Sequence, residues 1–356
     1  MYLSQIILEN FRSYSQKIFE FDPNVNLIIG QNGLGKTNLL EAIYFVATGK
    51  SFRALSLRQL IYWGKDMADI RAQIKDSQGG DKELEVQLVT VRQLTTAKTT
   101  RKFYLNGVEK TRSHYLGLLS VVAFQPEDIR LIAGSPTRRR HLLDEVLSQL
   151  DWHYRVALFQ YEKALKHRNE LLDQIRLGKN LKAELFYWDK SLIKNDEIIH
   201  HYRGKFIQSA NDFFSSHPDA EIKTIFLNFQ PSVLSQSVLD KNYQKDLTWG
   251  YTSAGNHRDD FSFDNLNFPD QYRNLEYWGS RGEQRLAVLA LRLAQIAFYE
   301  QTHQEKPILF LDDVFSELDP NHRQLVIKIC QHYQTFFTFT SHDIDPLLPS
   351  AKVINL

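Results

Sequence analysis

Val25-Asn26-Leu27-Ile28-Ile29-Gly30-Gln31-Asn32-Gly33-Leu34-Gly35-Lys36-Thr37 decides the fold class. A largely apolar, β-branched run stops at Gly30, and a helical pattern (Asn38, Leu39, Leu40, Ala42, Ile43, Phe45) follows Thr37. Gly30 to Thr37 fits G-x-x-x-x-G-K-[ST] without a deviation. Strand, glycine turn and helix is the context that a phosphate-binding loop requires. The glycines let backbone N–H groups converge on phosphate oxygens. Lys36 would neutralise the β- and γ-phosphates, Thr37 would ligate Mg²⁺, and the helix N-terminus adds partial positive charge. Gly30, Gln31, Asn32, Gly33, Leu34, Gly35, Lys36, Thr37 and the adjoining Asn38 are therefore the candidate nucleotide contacts, with ATP and Mg²⁺ as the expected cofactors.

Further along, Ile308-Leu309-Phe310-Leu311-Asp312-Asp313 reads as a buried parallel strand with carboxylates at its C-terminal edge, where ligands gather in open α/β sheets. Asp312 would hold Mg²⁺ and Asp313 would orient an attacking water. Before it, Ser280-Arg281-Gly282-Glu283-Gln284 opens a long helical pattern and is similar to the signature motif of ABC ATPases. Ser280, Gly282, Glu283 and Gln284 are candidate contacts to a nucleotide held by a second copy. The same letters also satisfy a plain capping box, Ser280-x-x-Glu283. Ser316-Glu317-Leu318-Asp319 follows as a D-loop does, and Ser341-His342-Asp343 stands where a switch histidine is carried. Gln125 ends the apolar run 120–124 as a Q-loop glutamine does. The candidate catalytic set is Lys36, Asp313, Gln125 and His342; the candidate metal set is Thr37, Asp312 and Gln125.

Around these motifs the chain reads as α/β. Short strands are expected over 2–8 and 17–21, and an antiparallel sheet over 68–112, with Asn106-Gly107 as the hairpin turn. Helices are expected throughout 136–216. Leu158, Tyr161, Leu165, Leu172 and Ile175 keep a 3,4 spacing, Arg168 fills the missing slot, and Gly178-Lys179-Asn180 breaks the pattern. The helix over 152–177 would be roughly 39 Å long. Strands are expected again over 222–229, 249–253 and 261–263, followed by helix 282–300, strand 308–311, helix 322–332 and strand 336–340. The expected organisation is an ABC-type ATPase head formed by 1–130 and 220–356, with an antiparallel β subdomain and an inserted α-helical arm over 131–219.

Composition narrows the class. The 356 residues are 43% hydrophobic and 24% charged, which suits a soluble globular protein. The net charge of +1 argues neither for nor against binding to nucleic acid. A single cysteine, Cys330, rules out an internal disulfide framework and suits a reducing compartment. No apolar run is long enough to span a membrane, and the first residues lack a signal layout, so a cytoplasmic location is expected.

Together the motifs resemble those of the RecF family, bacterial recombination-repair ATPases of the ABC class related to SMC heads. The resemblance rests on Glu9-Asn10-Phe11-Arg12-Ser13-Tyr14, the phosphate loop, Gly49-Lys50-Ser51-Phe52-Arg53, Phe124-Gln125-Pro126-Glu127-Asp128, Gly134-Ser135-Pro136 with Arg138-Arg139-Arg140, Gly255-Asn256-His257-Arg258-Asp259-Asp260, the Ser280 motif and the double aspartate. Asn256 stands where the family usually has proline, and Glu283 stands where transporter signatures have glycine. The resemblance implies a weak, DNA-dependent ATPase that forms an ATP-sandwiched homodimer and binds double-stranded and gapped DNA without sequence readout. It also implies action with RecO and RecR in loading RecA and in SOS induction, and a nucleotide contact from Arg12. Candidate DNA contacts are the basic hairpin, Arg101, Lys102, Lys110 and Arg112, and the arm base, Arg138, Arg139 and Arg140; a solvated hairpin face and helix-start arginines pairing with acids such as Asp144 are the plainer reading. Alternatives are a transporter or SMC-like defence cassette, a module in which ATP is structural, and a small-molecule kinase. The helical insertion argues against a transporter, and a kinase has no use for the Ser280 element.

Overall fold

The computed structural model describes every residue except 77–78, 93–96, 267–271, 304, 313–319, 340–347 and 349. The chain forms two compact units. One joins Met1–Asp128 to Tyr299–Leu356, and the other runs from Ile129 to Phe298.

In the first unit, Val25–Ile29 is a strand with all five residues buried. It lies in a five-stranded sheet in the order Lys352–Asn355, Val25–Ile29, Thr335–Phe339, Ile308–Asp312 and Val121–Phe124. Every adjacent pair is parallel. Burial on both faces explains why the central strands read as largely apolar runs rather than as alternating ones. A six-stranded antiparallel sheet has the order Tyr14–Glu20, Tyr2–Phe11, Met67–Lys75, Asp81–Arg92, Ala97–Leu105 and Val108–Lys110. Its last hairpin turns at Asn106-Gly107, both at positive φ (50° and 74°), as a two-residue type I′ turn demands. The helix Lys36–Thr48 packs on strands of both sheets. Leu39, Leu40, Ala42 and Ile43 are all buried, so the helix is apolar around most of its girth, the pattern of a core helix. Arg101 donates to the carbonyl of Gly49 at the C-terminal end of that helix, where a cation offsets the helix dipole.

The second unit begins with helices Pro136–Leu150, Trp152–Arg176 and Lys182–Ser216. Asp151 caps the second of these by accepting from the N–H groups of His153 and Tyr154. Trp152–Arg176 and Lys182–Ser216 pack antiparallel. Arg168 meets Asp189 near the turn, and Tyr154 meets Arg203 farther from it. The sequence slot filled by Arg168 is a buried ion-pair position. Its guanidinium, 1% exposed, pairs with Asp189 (2.7 Å) and Asp246 (2.9 Å) and donates to Thr252 Oγ1 (2.9 Å). This unit also takes in 220–298. The strand Ile225–Gln230 packs on Lys182–Ser216 and pairs with Asp260–Asn265 in a three-stranded sheet with Arg273–Asn274. These contacts, rather than the sequence break near 220, set the unit boundary.

The strand expected at 249–253 is not formed. Gln236–Trp249 is a helix capped by Ser235, and the chain reverses at Gly250 (φ 72°). Asp246, inside that helix, is fully buried and accepts from the N–H of Ser253. The aromatic and β-branched letters after Gly250 thus follow a helix stop in which only a glycine turns without strain. Among the described residues no helix is long and apolar enough to cross a membrane. Cys330 is buried, and burial pushes its thiol up to about 12.

A charge network ties the arm to the loop that follows Gly255. Arg203, 1% exposed, pairs with Asp144 and Asp259 at 2.7 Å each and donates to the carbonyl of Asn256. His200 pairs with Asp196 (3.1 Å) and with Asp259 (2.9 Å). Burial works against the His200 imidazolium, but Asp196 and Asp259 outweigh it and raise its pKa from 6.5 to about 9. A raised folded-state pKa gives stability that is complete below about pH 6.5 and lost as pH rises through about 9. Melting temperatures measured across that window should therefore fall more steeply for the native chain than for His200→Gln. Parallel curves would show that this histidine carries no linked proton.

Candidate functional site

The phosphate loop emerges from the buried strand Val25–Ile29 and enters the helix Lys36–Thr48. Gly33 and Gly35 stand at φ 88° and 109°, and a Cβ on Gly35 would come within 2.7 Å of the Tyr14 hydroxyl. That hydroxyl donates to the Gly35 carbonyl (3.0 Å), and burial pushes its pKa up to about 12. Tyr14 therefore braces the loop from the antiparallel sheet, which its place in the motif of residues 9–14 does not reveal.

The loop borders a polar cleft of about 500 Å³ lined by Asn32, Gly33, Gly35, Lys36, Thr37, Asn38, Arg53, Pro126, Glu127, Asp312, Thr338 and Phe339. Thr37 and Asp312 therefore share one cavity, brought together by the parallel sheet. Thr338 Oγ1 donates to Asp312 Oδ1 (2.7 Å) and orients that carboxylate. The Lys36 ammonium folds onto the carbonyls of Gly30 (2.5 Å) and Gln31 (3.2 Å). Two backbone oxygens hold this cation at the mouth of the loop, and phosphate oxygens are stronger acceptors of the same kind. The cavity's size, its cation, its backbone N–H groups and its hydroxyl–carboxylate pair fit a triphosphate with a hard divalent ion.

Two further expected residues, Gln125 and Arg12, lie in the first unit. Gln125 immediately precedes the Pro126-Glu127 pair, which lines the cleft. Its backbone N–H is held by Asp128 Oδ2 (3.1 Å). Arg12 is turned inward: Nε and NH2 bind both oxygens of Glu41 at 2.7 Å, and NH1 donates to the Gln59 carbonyl. Arg53, which the sequence marks only as part of a family motif, is the arginine that lines the cavity. Asp313, Ser316 to Asp319, Ser341 and His342 lie outside the described residues.

In the second unit, Ser280 precedes the helix Arg281–Thr302. Its N–H is accepted by Glu283 Oε2 (2.7 Å), and its Oγ accepts from the Glu283 N–H (3.2 Å). The capping box is thus formed by the signature letters themselves. Its hydrogen bond from the Ser280 N–H holds the Glu283 carboxyl below the usual range. Gln284 is drawn inside to donate to the Leu275 carbonyl (2.8 Å). Ser280 and Gly282 remain exposed. Capping and anion binding are compatible here, because the box satisfies only part of the helix's terminal N–H set.

The basic candidates separate by partner. Arg139, 7% exposed, grips Asp260 at 2.6 and 2.8 Å and donates to the carbonyls of Leu131, Ile132 and Gly134. Arg140 donates to the Asp259 carbonyl and to Thr137. Arg101 serves the Gly49 carbonyl, and burial lowers its pKa to about 10. These three cations are committed within the fold; of the helix-start arginines, Arg139 pairs with an acid, and Arg140 with a backbone carbonyl and a hydroxyl. Lys102 and Arg138 are exposed, Lys110 and Arg112 half-buried; Lys102 reaches a solvent-facing partner, Glu109, at 3.4 Å.

A parallel sheet carrying a phosphate loop, an antiparallel sheet packed on the same helix, and a long helical insertion define the ATPase-head architecture shared by RecF and SMC proteins. The sequence pattern of the RecF/RecN/SMC N terminal domain matches residues 2–347. The DNA replication and repair protein RecF of Bacillus cytotoxicus is 35% identical over 376 residues, covering 100% of this chain and 97% of that protein. The RecF of Lachnoclostridium phytofermentans is 34% identical over 347 residues, covering 96% and 93%. Among solved structures, the recombination mediator RecF–ATPrS of the RecFOR pathway superposes with a TM-score of 0.84 at 29% identity, covering 100% of this chain and 96% of that one. The Smc head of Pyrococcus furiosus shares the fold alone, with a TM-score of 0.53 at 18% identity over 99% and 93%. The chain belongs to the RecF family.

Proposed function

We propose that this chain is an ATP-binding recombination mediator that acts on gapped DNA as a nucleotide-closed homodimer. The observation that carries the reading is the cleft in which Lys36, Thr37 and Asp312 converge. A structural relative at 29% identity and nearly full coverage is described as RecF bound to ATP in the RecFOR pathway. On this reading Lys36 and the loop amides bind the phosphates, and Thr37 and Asp312 hold Mg²⁺, with Gln125 adjoining. Ser280 and the amides behind it meet the γ-phosphate of a partner copy. Bound ATP favours the dimer by mass action. Hydrolysis, with Asp313 and His342 in the roles their positions suggest, removes the bridging phosphate and opens it. Lys102, Lys110 and Arg138 remain the candidate DNA contacts, and partnership with RecO, RecR and RecA follows the family.

The test is gel filtration of the native chain and Lys36→Ala, with and without ATP and a gapped duplex. The native chain should shift to a dimer that retains DNA only with ATP. Lys36→Ala should stay monomeric, with ATP affinity reduced by at least about a hundredfold, or roughly 3 kcal/mol. Identical elution of the two proteins would remove Lys36 and the cleft from the mechanism. A module in which ATP is purely structural would dimerise but show no DNA-stimulated turnover.

A further inference from the structure

Glu41 sits on the helix Lys36–Thr48, five residues beyond the phosphate-loop lysine, and its side chain is 0% exposed. Its neighbours Leu39, Leu40, Ala42 and Ile43 are buried apolar residues. An apolar side chain at 41 would suit that packing. A buried ion pair is commonly no more stabilising than a hydrophobic replacement of similar shape. The charge is better explained by what it holds.

It holds two segments. The first is the turn after the strand Tyr2–Phe11. Arg12 binds both Glu41 oxygens, its backbone N–H is accepted by the Leu60 carbonyl, and its φ is 52°, a left-handed value that a non-glycine residue keeps only when its surroundings fix it. The second is the loop after the helix. Ser51 Oγ donates to Glu41 Oε1 (2.5 Å) and accepts from the N–H groups of Arg53 (2.9 Å) and Ala54 (2.6 Å). Arg53 then extends, exposed, to the cleft wall, with NH1 at 3.5 Å from Asn38 Oδ1. A single buried carboxylate thus connects the phosphate-loop helix to the backbone that presents a cleft-lining guanidinium.

We propose that Glu41 is a positioning residue for the nucleotide: through Ser51 it sets where Arg53 stands over the phosphate cleft, while its bidentate grip on Arg12 fixes the carboxylate's own orientation. The proposal rests on the ATP reading and deepens it. Arg12 then acts behind the site, and Glu41 and Ser51 matter to binding only by way of Arg53.

This dependence on Arg53 separates positioning from simple stability. ATP affinity would be measured by calorimetry on the full-length native chain, Glu41→Gln, Ser51→Ala, Ser51→Thr, Arg53→Ala and the double variant Ser51→Ala/Arg53→Ala. Contacting residues show non-additive effects. Ser51→Ala and Glu41→Gln should each weaken ATP about fivefold to tenfold, the double variant should be no weaker than Arg53→Ala, and Ser51→Thr, which keeps the hydroxyl, should restore native affinity. Additive losses, or a Ser51→Ala chain that binds like the native one, would overturn the proposal. If Glu41→Gln does not fold, the Ser51 variants alone decide the matter. A native chain that bound no ATP would overturn the nucleotide reading itself, whereas ATP binding with additive losses would overturn the relay alone.

Discussion

Ser280→Arg is expected to leave the chain monomeric with ATP at concentrations where the native chain dimerises, with ATP affinity of the single copy changed by less than about twofold. Ser280 is exposed at the start of the helix Arg281–Thr302, and the capping box uses its hydroxyl as an acceptor. In the proposed dimer the same hydroxyl and the amides behind it face the partner's γ-phosphate. An arginine there removes the cap and places a long side chain where the phosphate must approach. Lost capping costs about 1 kcal/mol, so Ser280→Ala serves as the control for capping alone. Sedimentation velocity with ATP reads the assembly, and titration reads the binding. An ATP-bound Ser280→Arg dimer as tight as the native one would end the sandwich arrangement, though not the cleft.

Removing Asp259 should give the largest loss of stability. Its carboxylate is 0% exposed. One oxygen accepts from His200 (2.9 Å) and the Ser232 N–H (2.7 Å), and the other pairs with Arg203 (2.7 Å). Asp259→Ala leaves two buried cations short of a counter-charge, and breaking a buried pair from one side costs about 3–5 kcal/mol. At about 2–4 °C per kcal/mol, the melting temperature should fall by roughly 10 °C. Asp259→Asn keeps the shape and some hydrogen bonds but not the charge, so it should lie between. Urea denaturation of the three proteins gives the comparison. A loss below about 1 kcal/mol in Asp259→Ala would mean that Asp144 and Asp196 alone satisfy Arg203 and His200.

The two halves of this network were legible to different degrees. Gly255 to Asp260 stood out as a family motif, yet nothing in those letters said that Asp259 faces Arg203, 56 residues away, or that Asp260 faces Arg139, 121 residues away. Arg168 fills a slot in an apolar stripe, and nothing in the letters shows that it is buried or that Asp189 and Asp246 are its partners. The cleft shows the same split. Lys36, Thr37 and Asp312 were readable because each sits in a short motif at a strand end. Arg12 is the arginine the motifs assign to the nucleotide and Arg53 only a motif letter, yet Glu41 turns Arg12 inward and Arg53 is the one at the cavity. The stretch 249–253 misled because its strand-forming letters follow a helix whose stop is a single glycine.

By itself the sequence determined the α/β class, the phosphate loop with its strand and helix, the hairpin at Asn106-Gly107 and the capping letters at Ser280. All of these depend on backbone chemistry within a few consecutive residues. Tertiary structure alone decided which arginines bind inside the fold, which one lines the cleft and where the second unit ends. A charged side chain takes the strongest partner within reach, and reach is set by how distant segments pack.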